Sequence, residues 1–363
     1  MDPAPAPAPA PLAGLSFEDL EALLRARAVP AAHAKRLVSA CLRGGTSDFA
    51  DVPGLGRANV ERLRGALTPR ATRVTRRLES PDGTVKLLLE GAGGDAFEAV
   101  LMPLARRTSG CVSSQVGCAA ACRFCASGLE GLRRSLLAHE IVEQGLALAD
   151  EARARGTRLS NLVFMGMGEP LHAYEAVVAA VRRLTDPRLL GFGCGHVTIS
   201  TVGVVPGILA LADEGLGVHL ALSIHAADDA LRRSLLPVGG RWSVAETLDA
   251  AQRFLEKTRR FVTLEMTLLE GVNDGVEHAA ALADAVDGRR FHVNVIPVNP
   301  VPGTPYRTPP QAHIDAYVAR LRARGVVVHV RAQRGSEVAA ACGQLRRLER
   351  APAAVVGAAP AAD

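Results

Sequence analysis

Residues 111 to 125, CVSSQVGCAAACRFC, hold four of the seven cysteines in this 363-residue chain. Within the stretch, Cys118, Cys122 and Cys125 are spaced C-x3-C-x2-C. Three thiolates suffice to hold three irons of a 4Fe-4S cluster and leave the fourth iron open to a small molecule, whereas electron-transfer ferredoxins supply four ligands. The alternative is a zinc site that takes Cys111 as its fourth ligand, because zinc favours closed tetrahedral thiolate coordination. Downstream, VFMGMGEPL (163–171) sets a Gly-x-Gly-Glu-Pro turn at the end of an apolar run. Ligands of parallel α/β folds sit at the carboxyl ends of strands, where exposed carbonyls and Glu169 can hold an ammonium group.

The elements that must position these groups alternate. Apolar runs at about 161–166, 196–201, 217–223, 261–269 and 291–297 read as strands, separated by helical patterns such as AYEAVVAAVRRL and VAETLDAAQRFLEKTRR. With a strand before Cys118 this makes six strand-helix units, so the fold class is α/β, a partial (β/α)6 barrel. One more strand (326–332) and a last helix at about 336–347 close the folded region. Ser16 with Asp19 forms a capping-box pattern ahead of an apolar face of Leu20, Leu23 and Leu24. VPGLGRANVERLRGAL (52–67) resembles a helix-hairpin-helix, although its glycines suit a simple interhelix turn equally well.

These patterns divide the chain into six parts. A Pro/Ala-rich tail (1–14) is expected to be disordered, followed by a small helical, RNA-binding accessory unit (15–69) and a short strand-rich connector (70–105). The barrel spans 106–335, a C-terminal segment 336–349 and a flexible tail 350–363.

Hydrophobic residues are 48% of the chain and charged residues 22%, which excludes a fibrous or disordered protein. Aromatic residues are only 4%, so a stacking platform for bases is a poor expectation. The opening MDPAPAPAPAPLAG lacks a basic n-region, and no apolar run is long enough to span a bilayer, so the expected location is the cytoplasm. In that reducing compartment, clustered cysteines bind metal or do redox chemistry more often than they form permanent disulfides. The net charge is +5, and Lys35, Lys86 and Lys257 are the only lysines among 42 basic residues. Arg57, Arg62, Arg64, Arg70, Arg73, Arg76 and Arg77 are candidates for phosphate contacts, and each reads equally well as part of a solvated face.

The cysteine spacing followed by a Gly-Glu-Pro strand end resembles the radical S-adenosylmethionine (SAM) superfamily. More narrowly, CVSSQVGC, MGMGEPL, STVGVVP, LSIHA, EGVND and AACGQL occur in the order and spacing of the ribosomal RNA adenine methyltransferases of the RlmN and Cfr type. The resemblance runs from about residue 15 to 347. It implies that Cys118, Cys122 and Cys125 carry the cluster. It also implies that S-adenosyl-L-methionine is held by Gly168, Glu169, Ser200, Ser223, Ile224, His225 and Asn299. In such enzymes the cluster gives an electron to S-adenosylmethionine, releasing methionine and a 5′-deoxyadenosyl radical. Two S-adenosylmethionine molecules are used per turnover. One methylates a cysteine, which matches Cys342, and the other supplies the radical that activates this S-methyl group toward adenine. A second thiol, matching Cys111, then forms a disulfide with the Cys342 sulfur as the product leaves. A glutamate that matches Glu98 removes the proton. The remaining Cys41 and Cys194 are expected to be structural.

The substrate so implied is an adenosine of 23S rRNA, with carbon 2 favoured over carbon 8, and a tRNA adenosine is a second acceptor within the resemblance. A single-stranded or unfolded target is expected, because the base must leave its stack to enter a barrel. A flavodoxin or ferredoxin is the expected electron donor, with no membrane partner and a monomeric enzyme. Ser336, Glu337, Val338, Gly195 and Val298 depart from the usual pattern. Two other readings use the same motifs: a nonenzymatic zinc- or iron-sulfur-stapled RNA-binding protein, and a radical SAM enzyme with another acceptor.

Overall fold

The computed structural model describes residues 8–91, 93–105 and 107–345. Residues 1–7, most of the start of the expected tail, lie outside the described residues, as do 346–349 and the whole of 350–363.

The chain enters through β1 (Ala10–Pro11), which pairs in parallel with β2 (Leu67–Thr68). Residues 10–14 of the expected tail are therefore ordered. The cause is apolar: Leu12 and Ala13 are 1% and 2% exposed within the core, and burial of this kind offsets the entropy of ordering the chain. Between these strands lie α1 (Phe17–Ala26), α2 (His33–Leu37) and α3 (Arg57–Leu63). The expected capping box is present: Ser16 Oγ accepts from the Asp19 amide at 3.0 Å, and Asp19 returns a carboxylate to the Ser16 amide. In the turn before α3, Arg36 donates to the Gly54 carbonyl at 2.7 Å and occupies the space a Gly54 side chain would need.

The next strands, β3 (Arg73–Glu79), β4 (Val85–Glu90) and β5 (Ala96–Leu104), form an antiparallel meander. They are not a separate connector. β5 pairs antiparallel with β6 (Arg107–Cys111), so the meander extends the main sheet. After β6 come a small antiparallel hairpin, β7 (Gln115–Gly117) with β8 (Leu132–Ser135), and the short α4 (Ala126–Leu129) between them.

A regular alternation then follows: α5 (Ala138–Ala154), β9 (Leu159–Phe164), α6 (Tyr174–Thr185), β10 (Val197–Thr201), α7 (Val205–Asp213) and β11 (His219–Ser223). It continues with α8 (Asp229–Leu235), α9 (Val244–Thr258), β12 (Val262–Leu268), α10 (Val276–Ala285), β13 (His292–Pro297), α11 (Gln311–Ala323) and β14 (Val327–Val330). The sheet order is β14-β13-β12-β11-β10-β9-β6-β5-β4-β3, with every pair from β6 to β14 parallel. β3 and β14 are its two edges, so the barrel is open. The helices cover one face, and Phe97, Phe164, Phe254 and Tyr317 are buried in the core.

The helix expected at about 336–347 does not form over the described residues 336–345. Only a 3-10 turn forms at Ser336–Val338, bracketed by Gly335 at φ +67° and Ala339 at φ +48°. Two left-handed residues four apart break the helical hydrogen-bond ladder.

Candidate active site

The cavity at the carboxyl ends of the strands is built by two segments that face each other. On one side, after β6, the Ser113 amide donates to Gln144 Oε1 at 2.7 Å and Gln144 Nε2 returns a bond to the Ser113 carbonyl at 3.0 Å. Ser113 Oγ donates to the Glu98 carbonyl (2.6 Å) and accepts from the Met167 amide (2.9 Å). Gln115 Oε1 accepts from the Glu169 amide at 3.0 Å. On the other side is the Gly-x-Gly-Glu-Pro turn. A Cβ at Gly166 would lie 2.6 Å from Ser113 Oγ, and one at Gly168 2.6 Å from Gln115 Cβ; Gly168 also has φ +101°. Both glycines are therefore required for the close approach.

Cys118, Cys122 and Cys125 line this cavity, together with Gly168, Glu169, Ser200, Ser223, His225, Asn299 and Cys342. All seven cysteines are free thiols. Burial pushes the Cys118 thiol up to about 12, and it raises Cys122 and Cys125 as well. Thiols held this way ionise only when cationic metal replaces their protons. Among the described residues, no three His, Cys, Asp or Glu side chains converge as ligands of a single ion. A cubane offers a separate iron to each sulfur, so three soft thiols spread along one wall fit it. A lone zinc also binding Cys111 does not fit: Cys111, on β6, is off the cavity wall.

Glu169 accepts from the Leu171 amide through Oε1 (3.0 Å) and from the Val202 amide through Oε2 (2.8 Å). Burial nevertheless raises its carboxyl to about 7. His225 sits at the left-handed φ of +57°, and its Nδ1 accepts from the Thr267 amide at 2.9 Å. The imidazole proton is thereby placed on Nε2. Burial lowers His225 to about 3, so the ring is a neutral donor. Asn273 fixes this strained residue: Nδ2 donates to the His225 and Thr267 carbonyls, both at 2.8 Å, and Oδ1 accepts from the Leu269 amide at 2.7 Å. Asn299 donates to the Cys342 carbonyl at 3.1 Å, while its Oδ1 is buried without a partner among the described residues. Ile224 is off the wall; its amide donates to the Glu265 carbonyl.

Cys342 is exposed and lines the cavity, and its charge reaches the buried Cys111. Burial pushes Cys111 up to about 12, Cys342 adds to that push and the Arg331 guanidinium opposes it. Arg331 lines the cavity floor, 3.4 Å from Glu265 Oε2. Glu98 is fully buried behind the wall, 2.9 Å from Lys86 Nζ, which also donates to the Ala339 carbonyl at 3.1 Å.

The sequence reading passed over Ser113, Gln115 and Asn273, although all three lie inside its motifs. Each is a polar residue with at least one partner remote in sequence. Lys86 and Arg331 carry no local signal at all.

A sequence profile described as the Radical SAM superfamily matches residues 112–283. The crystal structure of a radical SAM methyltransferase from Sphaerobacter thermophilus is similar at a TM-score of 0.91 and 41% identity, covering 93% of this chain and 99% of that one. The class is thus a radical SAM methyltransferase fold with a thiol-lined cavity at its mouth. Among curated relatives, the probable dual-specificity RNA methyltransferase RlmN 1 of Opitutus terrae is 46% identical over 345 residues, covering 92% of this chain and 96% of its own length. The probable dual-specificity RNA methyltransferase RlmN of Mycobacterium sp. (strain KMS) is 46% identical over 350 residues, covering 91% and 94%. The chain belongs to the RlmN family of radical SAM methyltransferases. Its family implies a 4Fe-4S cluster and S-adenosylmethionine, and no helix among the described residues is long and apolar enough to cross a membrane.

Proposed function

We propose that this enzyme methylates carbon 2 of an adenosine in 23S rRNA, with a tRNA adenosine as second acceptor, through a methyl group carried on Cys342. The observation that carries this reading is the convergence of Cys342 with three further thiols on one cavity, with Cys111 beneath it. When bound through Cys118, Cys122 and Cys125, the cluster supplies one electron for the reductive cleavage of S-adenosylmethionine at its open iron.

Gly168 and Glu169 hold the amino end of the cofactor methionine. A carboxyl raised to about 7 is readily ionised by an ammonium brought beside it. His225 offers Nε2–H as a neutral donor, and Asn299 Oδ1 offers a buried acceptor that a cofactor N–H or O–H would satisfy. Ser200, Ser223 and the Ile224 backbone complete the cradle. Cys342 takes its methyl from the first S-adenosylmethionine by displacement, losing its thiol proton, and the second is used for activation. After the base is attached through that carbon, the adduct would return one electron to the iron-sulfur centre and its ring proton to Glu98. Cys111 then gives up its thiol proton and forms a disulfide with the Cys342 sulfur as the methylated base departs. Two electrons from a flavodoxin- or ferredoxin-type donor return both thiols. The enzyme acts in the cytoplasm as a monomer.

The test is anaerobic incubation of reduced, reconstituted protein with 23S and tRNA transcripts and methyl-deuterated S-adenosylmethionine, followed by mass spectrometry of the nucleosides. Labelled 2-methyladenosine is the expected product. Labelled 8-methyladenosine would overturn the choice of carbon, and deoxyadenosine without methylated RNA would overturn the acceptor.

A further inference from the structure

The strongest unassigned feature near the cavity is a buried arginine that makes no ion pair among the described residues. Arg232, on α8, is 0% exposed and heads the fully buried side chains by size. Its Nη1 donates to the carbonyls of Gly239 (2.7 Å) and Trp242 (3.0 Å), and its Nη2 to that of Val202 (2.7 Å). Its Nε is buried with no acceptor. Every partner is neutral, and Arg232 makes no ion pair among the described residues. Asp229, the nearest carboxylate acting on it, is already used by the Val244 amide. An enclosed cation balanced only by carbonyls is costly unless another negative charge lies near.

After Asp229, the Cys122 sulfur is the next charged group whose field reaches this guanidinium. The loop carrying that thiol rests on the same helix: the Arg123 amide donates to the Leu235 carbonyl at 3.0 Å. Gly203, in STVGVVP, makes room for the arrangement, since a Cβ there would stand 2.8 Å from Arg232 Nη2 and 2.6 Å from Thr247 Cγ2. The Val202 peptide also joins the two sides, its carbonyl accepting from Arg232 and its amide donating to Glu169.

We propose that Arg232 is a tuning residue for the iron-sulfur cluster: its fixed positive charge behind Cys122 stabilises the extra electron of the reduced state and raises the reduction potential. The inference rests on the cluster reading given above. The step is a one-electron reduction by a flavodoxin- or ferredoxin-class donor, with no proton taken up by Arg232. Net charge around a cluster is one of the levers that set its potential.

The test is an EPR-monitored redox titration of the full-length, anaerobically reconstituted protein without S-adenosylmethionine. Arg232→Gln is expected to lower the reduced-to-oxidised ratio at a fixed poise about tenfold, which is about 59 mV for a one-electron couple. Arg232→Lys keeps the charge and is expected to titrate with the parent protein. Arg233→Gln removes an exposed charge one residue away and is expected to leave the potential in place. An unchanged potential in Arg232→Gln overturns the proposal, as does an equal shift in Arg232→Lys, which would assign the effect to packing. If Arg232→Gln fails to retain iron, Arg232→Lys decides: cluster and potential retained support the role of charge, and loss of either overturns it. A parent protein that holds no 4Fe-4S cluster would overturn the functional reading instead.

Discussion

On the N-terminal side of the molecule, Arg64, Arg70, Arg73 and Arg77 each reach a carboxylate, Glu61, Asp150, Glu90 and Glu151 respectively. Around the cavity, Arg232 is enclosed by carbonyls, and half-buried Arg331 stands between Glu265 and the sulfur of Met165. One residue type therefore does two kinds of work. Exposed pairs are worth about 0–1 kcal/mol each, because water screens them and two long side chains must be held still. An enclosed guanidinium has no water to fall back on, so its surroundings fix both its energy and its effect on neighbours. Of the seven arginines read as phosphate candidates, only Arg57 and Arg76 make no side-chain hydrogen bond or ion pair among the described residues. In a chain this rich in arginine, location and not number separates function from solvation.

The contrast between cavity and surface yields four expectations. The largest effect is chemical. Cys342→Ser retains the iron content of the parent protein but yields no methylated RNA by mass spectrometry, whereas Cys122→Ala loses the iron itself. A Cys342→Ser enzyme that still methylates would break the contrast at its centre. Next is Asn273→Ala, which removes three buried hydrogen bonds and the support of a left-handed residue. The expected loss is ~3 kcal/mol by chemical denaturation, accompanied by weaker S-adenosylmethionine binding in equilibrium dialysis.

A smaller effect is set by pH. His225 binds its proton near 3 when folded and near 6.5 when unfolded, so its contribution to stability is complete above about 6.5 and is lost as pH falls toward 3. Glu169 runs the other way: raised to about 7 from 4.5, it contributes fully below 4.5 and loses that contribution as pH rises through 7. In thermal melts of cofactor-free protein, His225→Asn is expected to flatten the acid-side fall, since asparagine tolerates the left-handed backbone. An unaltered fall would place the titrating group elsewhere. The smallest effect sharpens the surface side. Arg64→Gln is expected to move stability by no more than ~0.5 kcal/mol. Arg76→Gln is expected to lower the salt slope of RNA binding by about 1 while Arg64→Gln leaves it unchanged, as read by filter binding across a salt series.

Much of the barrel was readable along the chain because its strands are apolar runs and its helices have a regular face. All parallel strands from β9 to β14 fall within the expected runs or overlap them by most of their length. Three things were not local. The meander β3–β5 reads as short strands, but only the pairing of β5 with β6, from Val100 opposite Cys111 to Leu104 opposite Arg107, makes it part of the sheet. At the C-terminal segment the run of alanines suggested a helix, and the backbone at Gly335 and Ala339 overrides that propensity. At the N-terminus the Pro/Ala repeat masked the one leucine that anchors β1. The candidate site was legible through its motifs, which name the groups facing the cavity. The residues that hold those groups, Ser113, Gln115 and Asn273, are defined by bonds across tens of positions.

Among the described residues, the segment that carries Cys342 has one short turn and no helix or strand, and its place is set from outside. Lys86 holds the Ala339 carbonyl and Asn299 the Cys342 carbonyl. The Ala126 amide holds the Gly343 carbonyl, and Ser127 Oγ the Leu345 carbonyl. The last two anchors are the residues that directly follow Cys125. The backbone just beyond Cys125 is thereby a mechanical link: whatever shifts the loop bearing Cys118, Cys122 and Cys125 is passed, through the Gly343 and Leu345 carbonyls, to the position of Cys342.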